Sequence, residues 1–269
     1  MDDDLLAGLL ASSDSHKEVT ESYDLSQLST YRVGGIAKFF TRISDLTSLE
    51  KISKFISKSG IKVLIVGNGS NLLISDSGFN GLVIQLGEDF ENISIKDQVV
   101  TAGGAVNLPI LARHTAKNGL SGLEWAVGVP GSVGGGVRMN AGGHGASISD
   151  SLLSANVFDL LANKYKELDV DELKMEYRST VISNHEIVIE AKFSLDAGKV
   201  EKSDERISEI VKWRRENQPG GQNAGSVFMN PLGDSAGRLI DAAGLKGHKV
   251  GSAMVSEKHA NFIQVKPNG

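Results

Sequence analysis

The glycines of this sequence are clustered within otherwise apolar stretches rather than spread along a linker. They number 31 among 269 residues, well above the roughly 7% of an average protein. Two clusters stand out, at residues 67–69 and 128–143. Because glycine has no Cβ, such a cluster lets the backbone come close to another group. The sequence therefore predicts a globular chain with glycine-rich binding loops.

The charge and the cysteine content exclude several classes of function. The formal net charge is −5, which provides no broad cationic field for nucleic acid or an anionic membrane. Cysteine is absent, and this excludes disulfides, thiolate metal sites and a cysteine nucleophile. No apolar run approaches the roughly 20 residues of a membrane-spanning helix. We expect a soluble, cytoplasmic protein with no metal site and with no nucleic-acid or membrane partner.

Hydrophobic periodicity and turn signals divide the chain into four parts. We expect a flexible acidic tail at residues 1–20, then units at 21–86, 87–200 and 201–269. Helices are predicted at 45–59, between 107 and 119, at 204–217 and at 235–243. Strands are predicted at 62–66, 81–86, 99–102, 152–160 and 186–195. This order of elements indicates mixed α+β structure.

The first glycine cluster follows a predicted buried strand and reads Val-Gly-Asn-Gly-Ser-Asn-Leu-Leu over residues 66–73. Its glycines allow a diphosphate to approach, and the diphosphate oxygens would accept from successive loop amides and from Ser70 and Asn71. The third glycine of the dinucleotide fingerprint is missing. A tight turn between two strands is therefore the alternative interpretation.

The second cluster runs from Gly128 through Gly136 and on to residues 140–143. Pro130 stiffens its entry, and its small residues leave room for a flat, bulky group. A surface glycine loop is the alternative, but such loops seldom carry neighbours like Trp125 and Val127. This cluster favours binding.

These two clusters, together with Thr-Tyr-Arg-Val-Gly-Gly at residues 30–35, resemble the UDP-N-acetylenolpyruvoylglucosamine reductase family. The resemblance implies an α+β fold, with a two-subdomain FAD-binding part of the vanillyl-alcohol-oxidase type and a smaller α+β substrate-binding domain. It implies non-covalent FAD held by the matching residues. Those cofactor-binding residues are Tyr31, Arg32, Gly67, Asn68, Gly69, Ser70, Asn71, Leu72, Gly128, Val129, Pro130, Gly131, Ser132, Gly134, Gly135, Asn140, Ala141 and Gly142.

Two further segments carry the chemistry that the resemblance implies. Arg178, in Tyr-Arg-Ser, has the planar donor fork that suits a carboxylate, although such an arginine is more often a surface ion-pair residue. Ser226, in Asn-Ala-Gly-Ser-Val-Phe, lies in no hydrolase elbow and by default makes a turn hydrogen bond. In the family the matching arginine stabilises an enolate and the matching serine donates a proton. Both are therefore predicted to be catalytic.

The resemblance also implies the partners. NADPH reduces the FAD, and the hydride then reduces UDP-N-acetylglucosamine enolpyruvate to UDP-N-acetylmuramate, a precursor of peptidoglycan. The predicted substrate-binding residues are Tyr177, Arg214, Asn230 and Lys258. The short interval between Ser226 and Lys258 resembles the family's second type. We expect a monomer.

One member of the family's catalytic set has no counterpart in this sequence. In the family a third catalytic residue, a glutamate, lies near the C-terminus after a helix and a short strand. Glu257 is the last glutamate here and lies in the motif that precedes that helix. We expect that the sequence stops short of the segment, and the alternative is a reductase-like protein with little or no activity.

Two rival functions stay open at this point. An oxidase or dehydrogenase with the same fold would attach FAD covalently, and His144, in Gly-His-Gly, is the nearest candidate for that link. A non-catalytic flavin or sugar-nucleotide binding protein is the other rival, because of the missing glutamate.

Overall fold

The computed structural model describes residues 5, 7–9 and 19–266, which form an α+β fold around two sheets. The helices are α1 (Leu46–Ser59), α2 (Leu108–Lys117), α3 (Val133–Arg138), α4 (Val170–Leu173), α5 (Val200–Asn217) and α6 (Ala236–Ala242). The strands are β1 (Val19–Asp24), β2 (Ile36–Ile43), β3 (Val63–Ile65), β4 (Phe79–Leu86), β5 (Ile93–Lys96), β6 (Val99–Gly103), β7 (Leu120–Ser121), β8 (Gly142–Gly143), β9 (Ala146–Ser147), β10 (Leu152–Asp159), β11 (Lys164–Asp169), β12 (Glu186–Ser194), β13 (Asp196–Ala197), β14 (Lys249–Val250), β15 (Ala253–Val255) and β16 (Ile263–Val265).

The first sheet has the strand order β1-β2-β4-β3. Strand β4 runs parallel to both β2 and β3, whereas β1 is antiparallel to β2. Helix α1 covers the sheet, and its start is fixed by Asp45, whose side chain accepts a 2.8 Å hydrogen bond from the Ser48 amide. The loop that carries the first glycine cluster follows β3 directly, so the sheet holds one end of this loop in place.

The second sheet is antiparallel throughout and has the strand order β11-β10-β12-β6-β5. Helices α2 and α5 pack near it through a core that includes Leu111, Phe193, Ile207 and Ile210. A 3₁₀ turn at Glu124–Gly128 leads into the second glycine cluster, which contains helix α3.

The two sheets share one hydrophobic core. Leu49 and Ile52 of α1 belong to the same buried cluster as Phe158 of β10 and Ile187 of β12. Because apolar burial at roughly 25 cal/mol per Å² is the main stabilising term, this core fixes the sheets against each other. The groove between them therefore has two supported walls.

The final part of the described chain is a three-stranded sheet, β14-β15-β16, with helix α6 beside it. It joins the preceding loop through the backbone, since the Val265 amide donates to the Gln222 carbonyl at 3.1 Å. None of the helices in residues 19–266 is long and apolar enough to cross a membrane.

Most of the predicted helices and strands are present, with shifted ends. Helix α5 begins at Val200, four residues before the predicted start, and Lys199 at its N-cap makes no side-chain capping hydrogen bond. The short helices α3 and α4, the longer strands β1, β2, β5 and β11 and the short strands β7–β9 and β13–β16 were not predicted. Most of the tail predicted at residues 1–20 lies outside the described residues, although Leu9 is buried and β1 begins at Val19. The three later unit boundaries stay predictions.

Candidate functional site

A cleft of about 750 Å³, open solvent included, lies between the two sheets. Five residues predicted to bind a cofactor line it. These are Gly67, Asn68, Ser132, Gly134 and Gly135. The cleft also has lining residues that the sequence did not reveal. They are Arg42, Ile65, Val66, Gln85, Leu86, Glu91, Gly104, Ala105, Asn107, Arg138, Glu186, Ile187 and Val188.

The loop of residues 67–71 begins in the cleft lining, at Gly67 and Asn68. Its five backbone amides donate no hydrogen bond to any group in the described part of the chain. The loop's carbonyls, in contrast, are held: Gln85 Nε2 donates to the Gly67 carbonyl at 2.8 Å, and the Thr30 amide donates to the Gly69 carbonyl at 3.2 Å. Successive unpaired amides form an anion-binding surface.

The two glycine clusters meet at Gly67. A Cβ on this residue would lie 2.5 Å from Ser132 Oγ, so only glycine allows so close an approach. Ser132 itself accepts from the Gly135 amide and starts helix α3. Beside this contact, Asn68 Nδ2 donates to Asn107 Oδ1 across the groove. The clusters therefore form one continuous binding surface.

Two arginines and two glutamates line the cleft, so their formal charges sum to zero. Arg42 pairs with Glu91 at 2.8 Å, and Glu186 accepts from Lys166 at 2.6 Å. Burial alone would raise the pKa of Glu186, but hydrogen bonds from Lys166 and the Ser183 amide outweigh it and lower that pKa. Arg138 donates to Asn184 Oδ1 at 2.6 Å and has no carboxylate partner among residues 19–266. Arg138 is therefore available for an anionic ligand.

Tyr31 and Arg32 lie apart from the cleft lining. Tyr31 is buried, which raises the pKa of its hydroxyl, and the Ala224 backbone near it acts in the opposite direction. Arg32 is exposed and donates to the Gln27 carbonyl at 3.2 Å. Tyr31 is therefore the one of the two that lies near the segment of Ser226.

The structure places Arg178 beside the second glycine cluster. Arg178 Nη2 donates to the Gly142 carbonyl at 3.2 Å. Asn140 Nδ2 donates to the Glu176 carbonyl at 3.0 Å, so a second bond ties the same two segments together. Tyr177 is exposed, and its ring centroid is 5.9 Å from Arg178 Cζ. The predicted arginine and the predicted flavin-lining segment are thus in direct contact.

Ser226 is exposed and is supported by the strand segment opposite it. It forms an isolated antiparallel bridge with Phe262, and the following amide of Val227 donates to the Asn261 carbonyl at 2.9 Å. Asn261 further exchanges side-chain hydrogen bonds with the Phe228 backbone. Ser226 and Arg178 make no hydrogen bond to each other within the described residues.

The remaining predicted substrate residues already have protein contacts. Asn230 Oδ1 accepts from the Ala236 amide at 3.0 Å, and Lys258 Nζ donates to the Arg215 carbonyl. Arg214 is half-buried, which lowers its pKa, and its Nε donates to Gln218 Oε1 at 2.8 Å. Since Arg214 has no carboxylate partner in residues 19–266, it keeps an unneutralised charge for an anion.

Of the cleft-lining residues that were not predicted, Arg138 had the clearest signal in the sequence, because it lies within the second glycine-rich stretch. Gln85 and Glu186 carry no comparable signal. Each lies on a strand, far in sequence from the loop that it supports or faces.

The cleft fits an extended ligand with a negatively charged centre and flat ends. Its donors include the unpaired amides of Gly67 and Asn68 and the Arg138 side chain, and its apolar walls include Ile65, Leu86 and Val188. A pyrophosphate would accept from the amides, and the planar rings of a dinucleotide would cover the apolar walls. The fold and the cleft define a dinucleotide-binding protein, of which FAD-binding flavoproteins are one class.

Comparison with known proteins agrees with this class. Residues 37–162 match the FAD binding domain family, and residues 217–269 match the C-terminal domain of UDP-N-acetylenolpyruvoylglucosamine reductase. The chain is 39% identical over 249 residues to UDP-N-acetylenolpyruvoylglucosamine reductase of Bacillus licheniformis, covering 91% of this chain and 82% of that protein. It is 40% identical over 242 residues to the same-named protein of Heliobacterium modesticaldum, covering 89% and 77%.

Solved structures give the same result. The reductase from Thermus caldophilus superimposes with a TM-score of 0.80 at 35% identity, covering 92% of this chain and 87% of that one. Phl p 4.0202, a glucose dehydrogenase, superimposes with a TM-score of 0.57 at 11% identity over 80% and 50%, a likeness of fold alone. The chain belongs to the UDP-N-acetylenolpyruvoylglucosamine reductase family, and the predicted α+β FAD-binding fold is confirmed.

Proposed function

We propose that this protein reduces UDP-N-acetylglucosamine enolpyruvate to UDP-N-acetylmuramate, with NADPH as reductant and non-covalent FAD as cofactor. Similarity to the reductases over 91% of the chain supports the reaction. The observation that carries the proposal is the contact of Arg178 with Gly142, since it puts a guanidinium against the predicted flavin-lining segment. We further propose that the protein works as a cytoplasmic monomer.

The cofactor would be held by the amides of residues 67–71 and by Arg138, with Gly67 and Ser132 in close approach. Bound FAD supplies the hydride transfer between NADPH and the enolpyruvyl double bond. The remaining cofactor-binding residues predicted from the resemblance, such as Gly131 and Asn140, stay part of this proposal. The chain's own contribution to the chemistry is to bind, orient and protonate the substrate.

Arg178 would bind the enolpyruvyl carboxylate. Hydride addition to the terminal vinyl carbon leaves negative charge on the adjacent carbon and its carboxylate. A guanidinium fixed by the Gly142 carbonyl can stabilise this charge without reorganising, which is the most effective form of electrostatic catalysis. Tyr177, Arg214, Asn230 and Lys258 are proposed to bind the sugar nucleotide.

Ser226 would donate its hydroxyl proton to the carbon that carries the developing charge. A serine is a weak acid, so this step depends on the strong basicity of the enolate. The bridge to Phe262 and the Asn261 hydrogen bonds hold the Ser226 segment in place. His259 Nδ1 accepts a 3.2 Å hydrogen bond from the Asn261 amide, which gives this ring a structural role in the same segment.

The test is steady-state turnover of the full-length, FAD-loaded protein with NADPH, with and without the enolpyruvyl sugar nucleotide. Arg178→Ala should lower kcat by about 10²–10³-fold, the usual cost of removing a charge-stabilising donor. Ser226→Ala should lower it by about 10²–10⁴-fold, as expected for a lost general acid.

Matched controls lie on exposed helix faces. Arg113→Ala on α2 and Ser208→Ala on α5 make the same chemical changes at exposed positions and should leave kcat unchanged. Oxidation of NADPH that does not depend on the sugar nucleotide would overturn the proposal. Flavin that stays on the denatured chain would instead support the covalent oxidase alternative.

A further inference from the structure

His144 occupies the tip of the hairpin formed by β8 and β9. Both tip residues have left-handed backbone conformations, with φ of 55° at His144 and 88° at Gly145. A two-residue hairpin loop favours this geometry, and histidine is one of the side chains enriched in it. Because Gly145 has no side chain, the tip presents a single imidazole.

That imidazole is packed between two other segments. Its ring meets the Trp213 ring of α5 edge-on, with centroids 5.1 Å apart and an interplanar angle of 90°. On another side, a Cβ added to Gly128 would lie 3.1 Å from His144 Nε2. His144 therefore fills the space between the glycine-rich segment and the last turns of α5.

The same hairpin holds Arg178. The Gly142 carbonyl, two residues before His144, accepts the hydrogen bond from Arg178 Nη2. A movement of the tip relative to α5 would move this carbonyl and with it the guanidinium. The His144–Trp213 contact thus lies between α5 and the arginine proposed to act on the substrate.

The charges that face His144 come from α5. Burial lowers the pKa of His144, and the nearby Arg206 and Arg214 lower it further. Glu124, which packs against the same helix from the glycine-rich segment, is engaged by Ser203 and by the Gly122 amide. A protonated His144 would be a third cation beside two arginines.

We propose that His144 is a positioning residue, whose neutral ring docks the β8–β9 hairpin on Trp213 and so fixes Arg178 for the substrate carboxylate. Protonation weakens this docking and releases the hairpin. The kinetic part of this inference rests on the proposed function, whereas the docking itself does not.

The docking is tested first in the apoprotein, by the pH dependence of tryptophan fluorescence. Loss of the His144 ring from the Trp213 edge changes the surroundings of the indole, so the emission should change in one step centred below pH 6.5 as the pH is lowered. His144→Asn, which suits the same turn, and Trp213→Phe should both abolish this step. His114→Asn on the exposed face of α2 is the control and should keep it. An unchanged step in His144→Asn would overturn the docking.

The positioning role is then tested by kinetics of the FAD-loaded protein. His144→Asn should lower kcat/KM for the enolpyruvyl substrate about tenfold at pH 7.5 and leave the rate of flavin reduction by NADPH unchanged. His144→Phe should restore part of that loss, since it keeps the ring contact, and it should abolish the acid limb of the pH profile. Equal effects on both half-reactions, or an acid limb that persists in His144→Phe, would overturn the positioning role.

If no turnover with the sugar nucleotide exists, the proposed function fails. The fluorescence step still decides the docking in that case, so the two failures are distinguishable.

Discussion

The loop of residues 67–71, which we propose binds the pyrophosphate, is held in shape by a residue outside the loop. Gln85 on β4 donates from Nε2 to the Gly67 carbonyl, and this bond turns the carbonyl toward the strand. The amides of residues 67–71 are then left for a ligand. Gly67 permits the arrangement, because any Cβ there would collide with Ser132 Oγ.

Gln85→Glu should weaken FAD binding roughly tenfold. The change removes the donor to Gly67, worth about 1 kcal/mol, and places a negative charge beside the loop that receives the pyrophosphate. Titration of the apoprotein with FAD, followed by flavin fluorescence, measures the change. Gln98→Glu, the same substitution at an exposed turn between β5 and β6, should have no effect. Equal affinities of the wild type and Gln85→Glu would show that the loop needs no such support.

At the scale of elements, helix α5 is held by a half-buried polar contact to the residues that precede the second glycine cluster. Ser203 Oγ donates to Glu124 Oε1 at 2.6 Å, and the Gly122 amide donates to Glu124 Oε2 at 2.8 Å. Burial by itself raises the pKa of Glu124, but these hydrogen bonds outweigh it and lower the pKa below 4.5. The contact stabilises the ionised carboxylate.

Ser203→Ala should lower the free energy of unfolding by about 1–2 kcal/mol at pH 7, because a half-buried carboxylate loses a donor. The folded-state pKa of Glu124 is depressed, so this stability is present above pH 4.5 and is lost as the pH falls through the folded-state pKa. Urea unfolding at pH 7 and at low pH measures the difference, which should shrink in acid. The control Ser208→Ala is exposed on the same helix. A difference that grows in acid would contradict this prediction.

Elements with local signals were predictable from the sequence, and elements without them were not. Helix α1 was placed well, because Asp45 caps its start and Gly60 ends it. Helix α5 starts without a capping side chain, so its first turn was missed. Strand β11 is exposed along most of its length and shows no alternating apolar pattern. Its place in the sheet comes from pairing with β10.

The candidate site, like the fold, has parts that the sequence predicts and parts that it does not. The loops of residues 67–71 and 128–136 are each one continuous, glycine-rich segment, so the sequence was enough to predict them. Arg42, Gln85 and Glu186 reach the cleft from three different strands. Only the folding of both sheets around one core brings these side chains together, and a single sequence contains no direct signal of that juxtaposition.

At the scale of the whole molecule, the cleft is proposed to bind the cofactor, and the segments of Arg178 and Ser226 are proposed to act on the substrate. The sheets share a core, so the cleft walls are fixed for a cofactor. Arg178 is hydrogen-bonded to the β8–β9 hairpin, and the Ala224 backbone, close in sequence to Ser226, lies near Tyr31. The residues proposed to bind cofactor and substrate therefore come from different parts of the chain.

The reaction of the reduced protein with its substrate tests the central claim most directly. The full-length, FAD-loaded protein is reduced anaerobically with one equivalent of NADPH and mixed with UDP-N-acetylglucosamine enolpyruvate, while flavin absorbance near 450 nm (a general property of oxidised flavins) is followed. We predict that the absorbance returns without oxygen and that one UDP-N-acetylmuramate forms for each flavin. A flavin that stays reduced until oxygen is admitted would contradict the claim.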